Sequence, residues 1–89
     1  MTKRLILKGR VQGVGMRYSV SRIAKQMGLF GYVKNKADGS VECLIQGDEQ
    51  SLKQFIMNLK TRTPGYIEQL QEEDVTYSKE YNNFQIRIF

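Results

Sequence analysis

At 89 residues the chain has room for one domain, and a domain this small buries only about 60% of its unfolded surface. A composition of 40% hydrophobic and 26% charged residues with a net charge of +5 is globular, and excludes a disordered or membrane-spanning chain. There is no histidine, and Cys43 is the lone cysteine. These two facts exclude Ser-His-Asp and Cys-His nucleophile schemes, HExxH metal sites and an internal disulfide.

The first predicted element is a strand over residues 4–8, RLILK. Its apolar part, Leu5 to Leu7, is far too short for a signal peptide, so the protein is expected in the cytoplasm. Next comes GRVQGVGMRYS, residues 9–19, with three glycines and two cations, Arg10 and Arg17. Val20, Ile23, Ala24 and Met27 then fall at i, i+3, i+4 and i+7, one face of a helix that Gly28 is placed to terminate. Phe30 to Lys36 is strand-like, and Asp38-Gly39 gives a strong hairpin signal. Val41, Cys43 and Ile45 alternate with Glu42, Leu44 and Gln46, as in a half-buried strand with Cys43 in the core.

Asp48 is placed to cap a second helix whose apolar face is Leu52, Phe55, Ile56 and Leu59. Thr63-Pro64-Gly65 stops it. Residues 66–77 suggest strand with a polar interruption, in which Glu72-Glu73-Asp74 reads as a solvated acidic turn. Residues 84–88 alternate cleanly as a final strand. This order predicts an α+β fold, a ferredoxin-like βαββαβ sandwich. Two helices cover one face of a mainly antiparallel sheet, with an extra C-terminal strand. Residues 1–89 form one domain in this reading, with neither repeat nor linker.

The glycine loop fits no nucleotide motif. Its spacing is GxxxGxG with no Lys-Ser/Thr after it, which fails the P-loop pattern, and Tyr18 occupies the third glycine position of a dinucleotide fingerprint. Gly13 and Gly15 can adopt positive φ, and alternating conformations turn successive N–H groups inward to make an anion-binding nest. A helix starts directly after, so its positive end points at the same spot. Arg17 on the rim has a planar guanidinium able to grip two phosphate oxygens. The plainer alternative is a glycine-rich strand-to-helix turn with a solvated arginine. Asn35, from position alone, is a turn-forming residue beside the hairpin. Tyr18 and Tyr32 read as packing residues.

The stretch Gly9-Arg10-Val11-Gln12-Gly13-Val14-Gly15-Met16-Arg17-Tyr18 closely resembles the acylphosphatase signature. Gly28-Leu29-Phe30-Gly31-Tyr32-Val33-Lys34-Asn35 followed by Asp38-Gly39-Ser40-Val41 resembles the family's second block, and Gly47-Asp48 and Pro64-Gly65 also fit. One departure is Met16, where the family usually has Phe. The resemblance implies a metal-independent hydrolase of small acyl phosphates, with no cofactor. It implies that the backbone N–H groups of Gln12, Gly13, Val14, Gly15, Met16 and Arg17 and the Arg17 side chain hold the phosphate. Asn35 then orients the attacking water.

The chemistry accords with the absence of histidine. Cleavage of an acyl phosphate at phosphorus expels a carboxylate of pKa near ~4, which departs without a proton donor. Phosphoryl transfer demands mainly positioning and charge stabilisation, which amides and an arginine supply. Two other readings stand beside this one. An RNA-binding module would suit the fold and the charge, but Gly31-Tyr32-Val33 lacks the base-stacking RNP1 pattern, and the cations form no block, so no nucleic-acid or membrane partner is expected. A carbamoyl-phosphate-handling domain of a larger protein is the other; the chain ends at Phe89, which is expected to favour a free enzyme, and a monomer is expected.

Overall fold

The computed structural model describes residues 1–76 and 79–88. The elements run β1 (Thr2–Arg10), α1 (Met16–Gln26), β2 (Phe30–Asn35), β3 (Val41–Gln46), α2 (Glu49–Arg62), β4 (Tyr66–Asp74) and β5 (Phe84–Arg87). They build one five-stranded sheet in the order β4-β1-β3-β2-β5. Strand β3 pairs antiparallel with β1 and β2, β4 pairs antiparallel with β1, and β5 runs parallel to β2. Strands β1 and β2 thus flank β3 while β3 and β4 flank β1, so α1 and α2 are the two crossovers of the expected sandwich.

Alternation along the strands decides which face is covered. Leu5, Leu7, Val33, Val41, Cys43 and Ile45 join Val20, Ile23 and Ala24 of α1 and Leu52, Phe55, Ile56 and Leu59 of α2 in one buried cluster. The predicted helix faces are the ones that pack, except that Met27 is only partly buried at its edge. Helix α1 ends where Gly28 takes φ +69°; Gly28 N–H donates to Lys25 O (3.1 Å) and Leu29 N–H to Ala24 O (2.9 Å). This Schellman closure buries Leu29 and turns the chain into β2. Cys43 is fully buried, which pushes its thiol pKa up.

Three expectations need correction. Strand β3 is buried on both faces rather than half-buried, since Glu42 and Leu44 are covered as well as their neighbours. Strand β3 is central, and Glu42 is enclosed by the Tyr32 hydroxyl (2.8 Å), Lys34 Nζ (3.7 Å) and Arg4 Nε (3.8 Å). Strand β4 is continuous through the predicted polar interruption because β1 holds it by its backbone from Arg10–Tyr66 to Lys3–Asp74, with one register shift at Lys8/Gly9. Glu72-Glu73-Asp74 is therefore strand rather than a solvated turn. Lys3 Nζ meets Glu72 (3.4 Å) and Asp74 (3.0 Å), while Arg4 Nη1 meets Glu73 (2.8 Å). Tyr77, the end of the predicted segment, lies outside the described residues.

Candidate active site

The β1–α1 loop is fixed from three sides. Val11 and Met16, at its two ends, are sunk into the core at 1% exposure each. Val14 packs against the core edge, where the Pro64-Gly65 turn comes close: a Cβ at Gly65 would meet Arg10 O and lie 2.9 Å from the Val14 side chain. Gln12 supplies the third tie. Its side-chain amide donates to Lys36 O (2.8 Å) and Ser40 O (2.9 Å), both in the β2–β3 hairpin. The hairpin is braced in turn by Lys36 N–H to Ser40 O (2.8 Å) and by Asp38, whose carboxylate accepts from Ser40 N–H (2.9 Å). Bonds from the Ser40 hydroxyl and amide hold the Asp38 carboxyl below its usual pKa.

Gly13 and Gly15 have φ of +75° and +82°, and no non-glycine residue described has positive φ, so left-handed and ordinary conformations alternate along the loop. That is the nest geometry that turns amides to one side. A Cβ at either glycine would meet nothing within 4 Å, so the conformation and not crowding requires glycine there. Gly15 is also the N-cap of α1. It offers no side-chain oxygen, and the first turn carries no acid. Ser19 N–H is bonded to Gly15 O (3.1 Å), whereas the amides ahead of it, Met16 and Arg17 among them, have no carbonyl within the helix.

Gly13, Gly15, Met16 and Arg17 line a cleft of about 220 Å³ together with Asn35, Val11, Tyr18 and Ile86. Arg17 and Asn35, eighteen positions apart in sequence, thus come to one site. Arg17 is steered by β5: its Nη1 donates to Arg87 O at 3.4 Å. Asn35 is the last residue of β2, opposite Val41. Its Oδ1 is buried and, among the described residues, is the one buried side-chain polar atom without a hydrogen-bond partner. Gln12 and Val14 stand behind the cleft, with their side chains directed to the hairpin and the core. No three His, Cys, Asp or Glu among the described residues are grouped to hold a metal ion.

Some of these placements have no strong local signal in the sequence. The Gln12 side chain is a strut, signalled in the sequence only by a long amide amid glycines. Tyr18 is not a packing residue: it is 67% exposed on the cleft rim. Tyr32 does pack, with its hydroxyl on Glu42. Ile86 and the Arg87 carbonyl reach the site from β5, whose place beside β2 no local pattern announces.

A family model described as acylphosphatase matches residues 3–86. The chain belongs to the acylphosphatase family. A protein named acylphosphatase from Picrophilus torridus is 45% identical over 84 residues, spanning 92% of this chain and 96% of that one. The crystal structure of acylphosphatase from Bacillus subtilis superposes with a TM-score of 0.91 at 36% identity, covering 97% of each chain. The fold also occurs within something larger: a segment of the probable carbamoyltransferase HypF of Methanocaldococcus jannaschii is 42% identical over 88 residues, 97% of this chain but 11% of that protein. The acylphosphatase likeness thus spans both the glycine loop and the Asn35 hairpin. Among the described residues no helix is long and apolar enough to cross a membrane.

Proposed function

We propose that this acylphosphatase hydrolyses small acyl phosphates without a metal, in the cleft between the Gly13–Arg17 loop and Asn35. The observation that carries the reading is the Asn35 Oδ1, buried without a partner in the cleft that Arg17 and the glycine loop line. A buried carbonyl oxygen of this kind is costly unless a donor reaches it. A water held there donates one O–H to Oδ1 and turns a lone pair toward phosphorus.

In the proposed reaction the phosphoryl group sits on the amides of Gln12 to Arg17, with the Arg17 guanidinium across two of its oxygens. The water oxygen forms a bond to phosphorus as the bond from phosphorus to the carboxyl oxygen breaks. The bonding pair leaves with the carboxylate. The water's proton passes to a phosphate oxygen, because an asparagine has no basic pair to accept it. Charge spreads over the equatorial oxygens in the transition state, which is where fixed amides and a guanidinium are most effective. The products are the carboxylate and inorganic phosphate.

We further read the protein as a cytoplasmic monomer of one domain. A lone buried thiol suits a reducing compartment. The HypF likeness puts carbamoyl phosphate, itself an acyl phosphate, among the substrates to assay.

The test is benzoyl phosphate hydrolysis with and without EDTA. Wild type is expected to turn over equally in both. Arg17→Ala and Asn35→Ala should each lose at least about a hundredfold in kcat, the scale for one transition-state donor. Arg17→Lys should fail too, since a point charge does not replace the planar fork. Retained activity in the alanine variants would overturn the assignment, and loss in EDTA would overturn metal independence.

A further inference from the structure

The cleft has a second part that the phosphate chemistry leaves unused. Val11 and Met16 lie at its floor, both buried at 1% exposure. Two large apolar side chains on its rim are instead open to solvent: Tyr18 at 67% and Ile86 at 44%. They come from different elements. Tyr18 follows Arg17 in the first turn of α1, where side chains lean back toward the helix N-terminus and so over the glycine loop. Ile86 lies on the edge strand β5, in register with Val33 on the helix-covered face. Single exposed apolar residues are ordinary on a protein surface. Two converging on one cleft beside a charged anion cradle are better placed to bind something.

We propose that Tyr18 and Ile86 form the acyl subsite, a two-sided apolar wall that selects acyl phosphates with an aromatic or branched body over acetyl phosphate. The proposal rests on reading the cleft as an acyl phosphate site. With phosphorus over the loop amides, the carboxyl carbon and its substituent must leave the cradle on the open side, where these two side chains stand. A two-carbon acyl group is too short to cover either of them. A ring instead offers a face to the Tyr18 ring and an edge to the Ile86 methyls. The cleft, about 220 Å³, is smaller than the ~300–1,000 Å³ of sites for drug-sized ligands. One ring or a short branched chain is therefore the body it accommodates, with the far end in water.

The experiment compares kcat/KM for benzoyl phosphate and acetyl phosphate, each divided by its own spontaneous hydrolysis rate. Wild type is expected to favour benzoyl phosphate by about tenfold, the low end of discrimination by an apolar pocket, expressed mainly in KM. Tyr18→Ala and Ile86→Ala should each cut that ratio at least about threefold, and Tyr18→Phe, which keeps the ring, should preserve it. A wild-type ratio near one overturns the acyl wall while leaving the hydrolase reading intact. Alanine variants that slow both substrates in proportion show a merely structural role and also overturn it. Absence of turnover on both substrates overturns the hydrolase reading and the inference with it.

Discussion

The two helices begin in opposite ways. At α2 the Asp48 carboxylate accepts from Ser51 N–H (2.8 Å) and from the Ser51 hydroxyl (3.1 Å), with Glu49 in the first turn. The helix consumes its own positive end, and those bonds hold the Asp48 carboxyl below its usual pKa. At α1 the corresponding position is Gly15, with no capping side chain, no acid nearby and a cation, Arg17, in the first turn. By the rules that stabilise helices, this is a poor start. It suits the proposed anion site: the first-turn amides have no carbonyl partner within the helix, and the guanidinium, with Nη1 on Arg87 O, has further N–H groups in its fork to offer. In the proposed mechanism, function depends on a helix start that its own sequence leaves uncapped.

The contrast can be attacked from either end, and the largest effect is expected from making α1 resemble α2. Gly15→Asp puts a carboxylate in the cradle and should lower kcat/KM by at least about a hundredfold and abolish competitive inhibition by inorganic phosphate. Gly15→Asn has nearly the same shape and tolerates the left-handed conformation without the charge. It should retain clearly more activity, and equal losses in the two variants would mean that charge is not what matters at this position.

Gln12→Ala comes next. It removes the strut between the loop and the hairpin that carries Asn35, so the proposed water and phosphate sites would lose their common frame. A loss of about tenfold in kcat is expected from mispositioning, with little change in affinity for phosphate. An unchanged kcat would show that the backbone alone holds the loop.

Opening α2 should do the reverse of closing α1. Asp48→Ala is expected to lower Tm by a few degrees with kcat/KM unaltered, because Asp48 does not line the proposed cleft. The Asp48 pKa is depressed in the folded state. Its contribution is therefore present above the ordinary carboxylate range and lost as pH falls through it, so melting curves of wild type and variant should converge in acid.

The smallest effect concerns Tyr32. Burial, with the Glu42 carboxylate beside it, raises the Tyr32 hydroxyl to about 12. A raised pKa stabilises the fold fully below the ordinary tyrosine value of ~10. That stabilisation is lost as pH climbs toward 12. Wild-type stability should fall more steeply over that window than that of Tyr32→Phe, and parallel curves would refute the coupling.

Local chemistry made much of this legible in the sequence. The apolar faces of α1 and α2, the glycine that ends α1, the Asp48 cap and the Asp38-Gly39 turn each rest on residues within a few positions of one another. The loop could be singled out because positive φ and a following helix are also local matters. What escaped notice depends on distant partners. Strand β4 is continuous because β1 supplies its ladder, and Glu42 is buried because Arg4, Tyr32 and Lys34 converge on it. The Gln12 strut spans 24 and 28 positions, and Ile86 joins the cleft only through the pairing of β5 with β2. Asn35 was the intermediate case: by position it reads as a turn residue, and only the resemblance marked it as anything else.

The contact from Arg17 to the Arg87 carbonyl links positions 70 apart. It gives this small site a timetable. The glycine loop and α1 are local and can form early, but Arg17 finds its rest, and the cleft its Ile86 wall, only when β5 has docked beside β2. Recovery of activity during refolding should therefore lag behind recovery of helix. With Arg17 and Ile86 in their proposed roles, turnover would report that the most remote strand has reached its place.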